Sequence, residues 1–123
     1  MSTRSNEFQA FVLEQLTRID DLSCSRFFGG FSLKSSSVLF AMIMDNALYF
    51  AVDEDSRVEY EKLGSRCFSF DSKKGRVDVK RFFEVPAEIM DDQERLVAFA
   101  NAAIAAALKS ASSGKSRGKK TKN

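Results

Sequence analysis

Val38-Leu39-Phe40-Ala41-Met42-Ile43-Met44, then Asp45-Asn46, then Ala47-Leu48-Tyr49-Phe50-Ala51-Val52 is the clearest β signal in the sequence. Two runs of strand-forming residues flank a pair that tolerates left-handed backbone. That pattern reads as an antiparallel hairpin closed by a tight turn. The first run is apolar at every position. It is expected to be a central strand covered on both faces, at least in part.

On the N-terminal side, Ser35-Ser36-Ser37 reads as a turn and residues 24–34 as a single strand. Phe27, Phe28, Phe31 and Leu33 favour extended backbone there. Gly29-Gly30 inside it suggests a bulge or a close approach of backbone. Before it, Phe8, Phe11, Val12, Leu16 and Ile19 recur at helical spacing, with Glu7, Glu14 and Arg18 left for the solvent side. The spacing predicts a helix over 6–20, opened by a capping box of Asn6 with Gln9.

Toward the C-terminus, residues 53–63 read as a short acidic helix, capped by Asp53 or Asp55 and ended by Gly64. Strands at 66–71 and 76–83 follow, joined by Ser72-Lys73-Lys74-Gly75, and Pro86 ends the second. Asp91 with Glu94 forms another capping box, which opens a long helix to about Ser110. Leu96, Val97, Phe99, Ala100, Ala103, Ile104, Ala107 and Leu108 are its expected buried face. From 112 onward, SSGKSRGKKTKN holds no apolar residue and is expected to be a disordered tail. The strands arrive in hairpins and not as parallel crossovers. The expectation is therefore α+β, a two-layer α/β sandwich with an antiparallel sheet, in the order α-β3-α-β2-α. Residues 1–111 form the domain and 112–123 the tail.

A chain of 123 residues, 44% hydrophobic and 29% charged, suits one domain that buries a core without a disulfide or metal staple. No run of eighteen apolar residues occurs, which argues against a membrane span. The N-terminus lacks an apolar signal region, so a cytoplasmic, unprocessed protein is expected. Nineteen basic residues against seventeen acidic give +2, but Lys115, Arg117, Lys119, Lys120 and Lys122 fall in the tail. The domain itself is therefore net acidic, unlike a basic nucleic-acid-binding fold. Cys24 and Cys67 form no CxxC pair and read as buried thiols. Histidine is absent, no nucleophile motif appears, and no carboxylate pair sits in an apolar setting. The sequence therefore offers no catalytic residue, and no cofactor or metal is expected.

Several segments resemble the N-terminal domain of the TfoX/Sxy family of DNA competence regulators. Arg26-Phe27-Phe28-Gly29-Gly30-Phe31 is close to that family's Arg-x-Met-Phe-Gly-Gly signature. The likeness continues through Val38-Leu39-Phe40-Ala41 and then 45–53, ending on Tyr49 and Asp53. Gly64, Phe68-Ser69-Phe70 and Phe83-Glu84-Val85-Pro86 complete it. Together these cover roughly residues 6–109. Three positions depart: Phe27 stands where the family usually has Met, Ser32 where a third Gly is common, and Ala51 where Lys is usual. Longer members carry a further C-terminal domain where this sequence has its basic tail.

The resemblance implies a part in transcriptional control, assisting a transcription factor of the cyclic-AMP receptor type. It also implies a fold similar to that of secretion chaperones. A chaperone-like or general protein-interaction module without nucleic-acid binding is the alternative, resting on fold analogy. A homodimer is compatible with either reading.

For each sharp reading there is a plainer one. Arg26 beside Gly29-Gly30 suggests an anion site, but no Lys-Ser/Thr follows and no helix begins there. Arg26 paired to a carboxylate is the favoured reading. The many phenylalanines suggest base stacking, yet Phe27, Phe28, Phe40, Phe50 and Phe82 sit mostly in apolar runs and read as core. Asp53-Glu54-Asp55 serves better as a helix start than as a metal site. Lys73, Lys74, Arg76, Lys80 and Arg81 place five cations within nine residues, fit for phosphate or simply a solvated hairpin tip. The tail cations are the other candidate nucleic-acid contact. All five engaged on duplex DNA give a log–log salt slope of roughly −4.5.

Overall fold

The computed structural model describes residues 3–27 and 29–122, with side chains described for 7–27 and 29–110. Helix α1 spans Thr3–Gln15. Strands β1 (Leu22–Phe27), β2 (Gly30–Ser35), β3 (Val38–Met44) and β4 (Ala47–Ala51) follow in order. Helix α2 is Glu54–Lys62, strands β5 and β6 are Cys67–Ser72 and Gly75–Glu84, and helices α3 and α4 are Ala87–Met90 and Gln93–Lys122. The six strands form one sheet in the order β1-β2-β3-β4-β6-β5, with every neighbouring pair antiparallel.

The central hairpin forms as its sequence predicts. Asp45 and Asn46 sit at φ 51° and 60°, both in the left-handed region that a tight two-residue turn demands. The same backbone closes β2 onto β3, with Ser36 and Ser37 at 49° and 70°. Phe40, Ala41, Met42 and Ile43 are all buried, so β3 is covered on both faces.

Residues 24–34 are two strands instead of one, which makes the order α-β4-α-β2-α-α. Gly29-Gly30 is the corner of a hairpin, and each glycine has its own reason. Gly29 stands at φ +83°, with open space where a side chain would go. Gly30 is limited by space: a Cβ there would strike the Ile43 carbonyl and lie 2.5 Å from Met44 Sδ.

All four helices share one face of the sheet, as the buried side chains show. Tyr60 on α2 packs against Phe83 and Phe99 at 5.9 and 5.5 Å between ring centroids. Phe83 pairs across the sheet with Phe50, which lies 6.0 Å from Phe40. These rings point toward the helices. Val12, Leu16, Leu33, Leu48, Ile89 and Leu96 are the other large side chains that are fully buried among the described residues. Each large apolar side chain so buried contributes about 1.5–3 kcal/mol. Ala100, Ala103 and Ala106 are the buried small residues of α4 and let its backbone come close to β3 and β4. Leu108, expected inside, is 51% exposed, because the helix face has rotated past it.

Helix boundaries differ from expectation where tertiary packing intervenes. Helix α1 starts at Thr3 and ends at Gln15, so Asn6 lies within it, and its side chain falls outside the described residues. Gln9 instead donates to Cys24 Sγ at 3.2 Å. Gln15 and Gln93 bracket the far end, Gln15 Nε2 donating to the Met90 carbonyl and Gln93 Nε2 to the Gln15 carbonyl. The short α3 intervenes after Pro86, so α4 is capped by Asp92, whose carboxylate accepts the Arg95 N–H, and not by Asp91. The helix end expected near Ser110 is passed, since α4 is helical through Lys122.

Helix α2 is fixed at both ends. The Asp53 carboxylate accepts the Ser56 N–H at 2.8 Å while Ser56 Oγ accepts the Asp53 N–H at 3.0 Å. Lys109 on α4 reaches the other Asp53 oxygen at 3.4 Å. At the C-terminus Gly64, at φ +78°, donates to the Glu61 carbonyl and Ser65 to that of Tyr60, a Schellman closure. The Ser56 N–H, chiefly, and Lys109 hold the Asp53 carboxyl below the ordinary carboxylate range.

The two glycines and the α2 cap can be separated by mutation. Gly30→Ala should cost about 3 kcal/mol or more, because a strand must move, and Gly29→Ala about 1–2 kcal/mol from backbone strain alone. Denaturant unfolding measures both. Asp53→Ala should cost about 1 kcal/mol at neutral pH. A lowered folded pKa means that this stability is present above the ordinary carboxylate range and lost as pH falls through the folded value. The difference between wild type and Asp53→Ala should therefore shrink on acidification, which unfolding curves at stepped pH will read.

Candidate functional site

Side chains alternate across each strand, so the residues between the core positions of β4 must face away from the helices. Tyr49, between the buried Leu48 and Phe50, points to that far face. There it meets Phe68 of β5 edge-to-face at 5.1 Å, and Phe68 stacks against Phe70 at 6.1 Å. Val79 and Val77 lie directly opposite Phe68 and Phe70 on β6. The result is an aromatic line carrying Phe70 at 46% exposure and Val77 at 38%. Large apolar groups left in water at neighbouring positions mark a surface suited to contact with another molecule. Burial, then the charges of Glu84 and Asp45, push the Tyr49 hydroxyl above its ordinary value, so it stays protonated and neutral within this line.

The strands beneath the line form an arm. β6 pairs with β4 through Phe82, Phe83 and Glu84, with the Val52 N–H donating to the Arg81 carbonyl and the Val85 N–H to the Leu48 carbonyl, after a break in register with β5 beside Cys67. From Ser69 to Asp78 the two strands pair only with each other. Every residue from 70 to 78 is exposed. Lys73 and Lys74 occupy the tip, where the Lys74 N–H donates to Ser72 Oγ and Ser72 Oγ to the Gly75 carbonyl.

The five hairpin cations do not form one patch. Arg76 and Lys80 share the helix-side face of the arm and line a groove with Arg57 and Glu61 of α2, Arg66, Cys67 and Asp78. Arg81 stands apart, lining a second recess with Val38, Ala106 and Ser110. Arg57 and Arg66 are separated from the hairpin cations in sequence and carry no motif that would group them. Only the fold brings them alongside. The side chains of Lys115, Arg117, Lys119, Lys120 and Lys122 lie outside the described residues.

Most of the motif positions serve the architecture. Gly29 and Gly30 make the first hairpin, and Asp53 and Gly64 cap α2. Pro86 leads into α3, and the Glu84 N–H donates to the Arg66 carbonyl at 2.9 Å. Phe28 lies outside the described residues. Arg26 does not pair with a carboxylate among the described residues. Its guanidinium lies 6.0 Å from the Phe31 ring centre, within the range of a cation–π contact. These positions are spread over the molecule and do not converge on one cleft.

Cys24 and Cys67 are free and half-buried instead of buried, on β1 and β5 at opposite edges of the sheet. Among the described residues no three His, Cys, Asp or Glu gather to hold a metal ion. Among them, too, no helix is long and apolar enough to cross a membrane.

No curated protein matches the chain. The model of the TfoX N-terminal domain matches residues 14–107, which is more than half of the sequence and takes in every strand and α2. With the ordered run of glycines, caps and hairpins described above, this chain belongs to the TfoX N-terminal domain family, which is linked with competence.

Proposed function

We propose that this protein is a cytoplasmic accessory in transcriptional control of competence, docking on a transcription factor of the cyclic-AMP receptor type. The aromatic line on the sheet face away from the helices carries the reading. Tyr49, Phe68 and Phe70 form a connected aromatic surface with one end open to solvent. Aromatic anchors of this kind supply most of the energy in protein interfaces. Family membership supports the class of partner. The tail cations add non-specific contact with the DNA that such a partner occupies. The protein acts by binding, with no catalytic step assigned to it.

The test is a titration of the full chain against the cyclic-AMP receptor protein bound to a promoter duplex, followed by sedimentation. Saturable association is expected, and Phe70→Asp should weaken it at least tenfold, about 1.4 kcal/mol, with the melting temperature held. Equal binding by the variant, or no association, contradicts the reading. Capture of unfolded clients on the same face, without interest in the DNA-bound regulator, would favour the chaperone-like alternative.

A further inference from the structure

The β5–β6 arm and the groove beside it bring cations together on a domain that is otherwise net acidic. Arg57 comes from α2, Arg66 from the approach to β5, and Arg76 and Lys80 from β6, around a space of about 530 Å³. Two of them have a carboxylate beside them: Arg57 lies 3.8 Å from Glu61, and Arg76 3.4 Å from Asp78. Arg66 and Lys80 have no ion pair among the described residues. Both are exposed, so their charges are open to an incoming anion.

The spacing narrows the class of anion. Residues two apart on a strand share a face at about 6.8 Å, which puts the backbones of Arg76 and Lys80 about 13 Å apart. Both engage a chain of charges where they stand, whereas a lone phosphate needs the two side chains to turn inward and converge. An acidic peptide needs apolar seats for its other side chains. The groove's single ring, Phe83, is buried against Tyr60 and Phe50. The arm is a two-stranded ribbon that is free of other strands from Ser69 to Asp78 and ends in Lys73 and Lys74. A two-stranded ribbon is a shape that the major groove of duplex DNA admits.

We infer that the β5–β6 ribbon is a duplex-DNA site belonging to the domain itself, with Arg66 and Lys80 holding backbone phosphates while Lys73 and Lys74 enter the groove. Arg57 and Arg76 position the rim through Glu61 and Asp78. This site is separate from the tail and lies on the opposite face of the ribbon from the aromatic line. A protein partner and DNA can therefore be held together.

Fluorescence anisotropy of a labelled duplex, over a range of salt, compares three full-length proteins: wild type, Arg66→Gln/Lys80→Gln, and a chain with Lys115, Arg117, Lys119, Lys120 and Lys122 changed to Gln. The tail-neutralised chain should keep salt-dependent binding. The groove variant should bind about tenfold or more weakly, with the log–log salt slope shallower by about 1.8, the change expected when two phosphates are no longer neutralised. Its melting temperature should be unchanged, since neither side chain forms an ion pair within the described protein. Unchanged affinity and slope in the groove variant overturn the inference. So does loss of all binding on neutralising the tail, or displacement of DNA by polyglutamate at equal charge concentration. The protein-docking titration with Phe70→Asp reads the other face of the ribbon, so either proposal can fail while the other stands.

Discussion

Phe40 and Phe50, side by side and fully buried under the helices, are the contact on which the remaining structure depends. They sit on adjacent strands of the hairpin that Asp45-Asn46 closes. The alanine face of α4 closes over the same core. Putting every helix on that side commits α1, α2 and α4 to a single core. It also leaves the second face of the sheet without a helix of its own among the described residues. Whatever apolar side chains alternate onto that face must then be covered by neighbours or left in water.

The sheet resolves this unevenly. Near its middle, Met42 and Ser32 are buried on the far face although the helices lie on the other side. Toward β5 and β6 the cover runs out, and Phe70 and Val77 remain exposed. The same two strands have left the main ladder, so the least supported part of the sheet also has the most unusual surface. One of its faces is aromatic, and the other carries Arg76 and Lys80 among Asp71 and Asp78. Segments that bury little apolar surface open at lower cost than the core, and binding surfaces are commonly found there.

How much of this the sequence discloses depends on whether the signal is local. The β3–β4 turn and both caps of α2 are legible because the chemistry that fixes them lies within a few residues. Gly29-Gly30 reads as a bulge or a close approach of backbone; Gly30 makes the close approach, but the pair turns the chain, because a glycine pair inside an apolar run serves either equally well. The choice is made by whether its flanks pair with each other, which is a tertiary fact. Asp92 takes the cap expected of Asp91 because α3 intervenes after Pro86. The alternation of Phe68 with Phe70 and of Val77 with Val79 is visible in the sequence too. That it faces water follows only once the helices are placed on the other side. Arg57 and Arg66 carry no motif at all, and only the packing of α2 beside β5 and β6 makes them part of one groove.

β5 and β6 are the working element of this domain, and the α4-covered core is its support. Hydrogen–deuterium exchange of the full chain, alone and with a regulator-bound promoter duplex, tests this directly. In the free protein, amides of residues 69–78 should exchange faster than those of β3 and β4. On adding the complex, protection should rise there and around Arg57 and Arg66. Protection confined to α1 or α4, or none at all, would contradict the assignment.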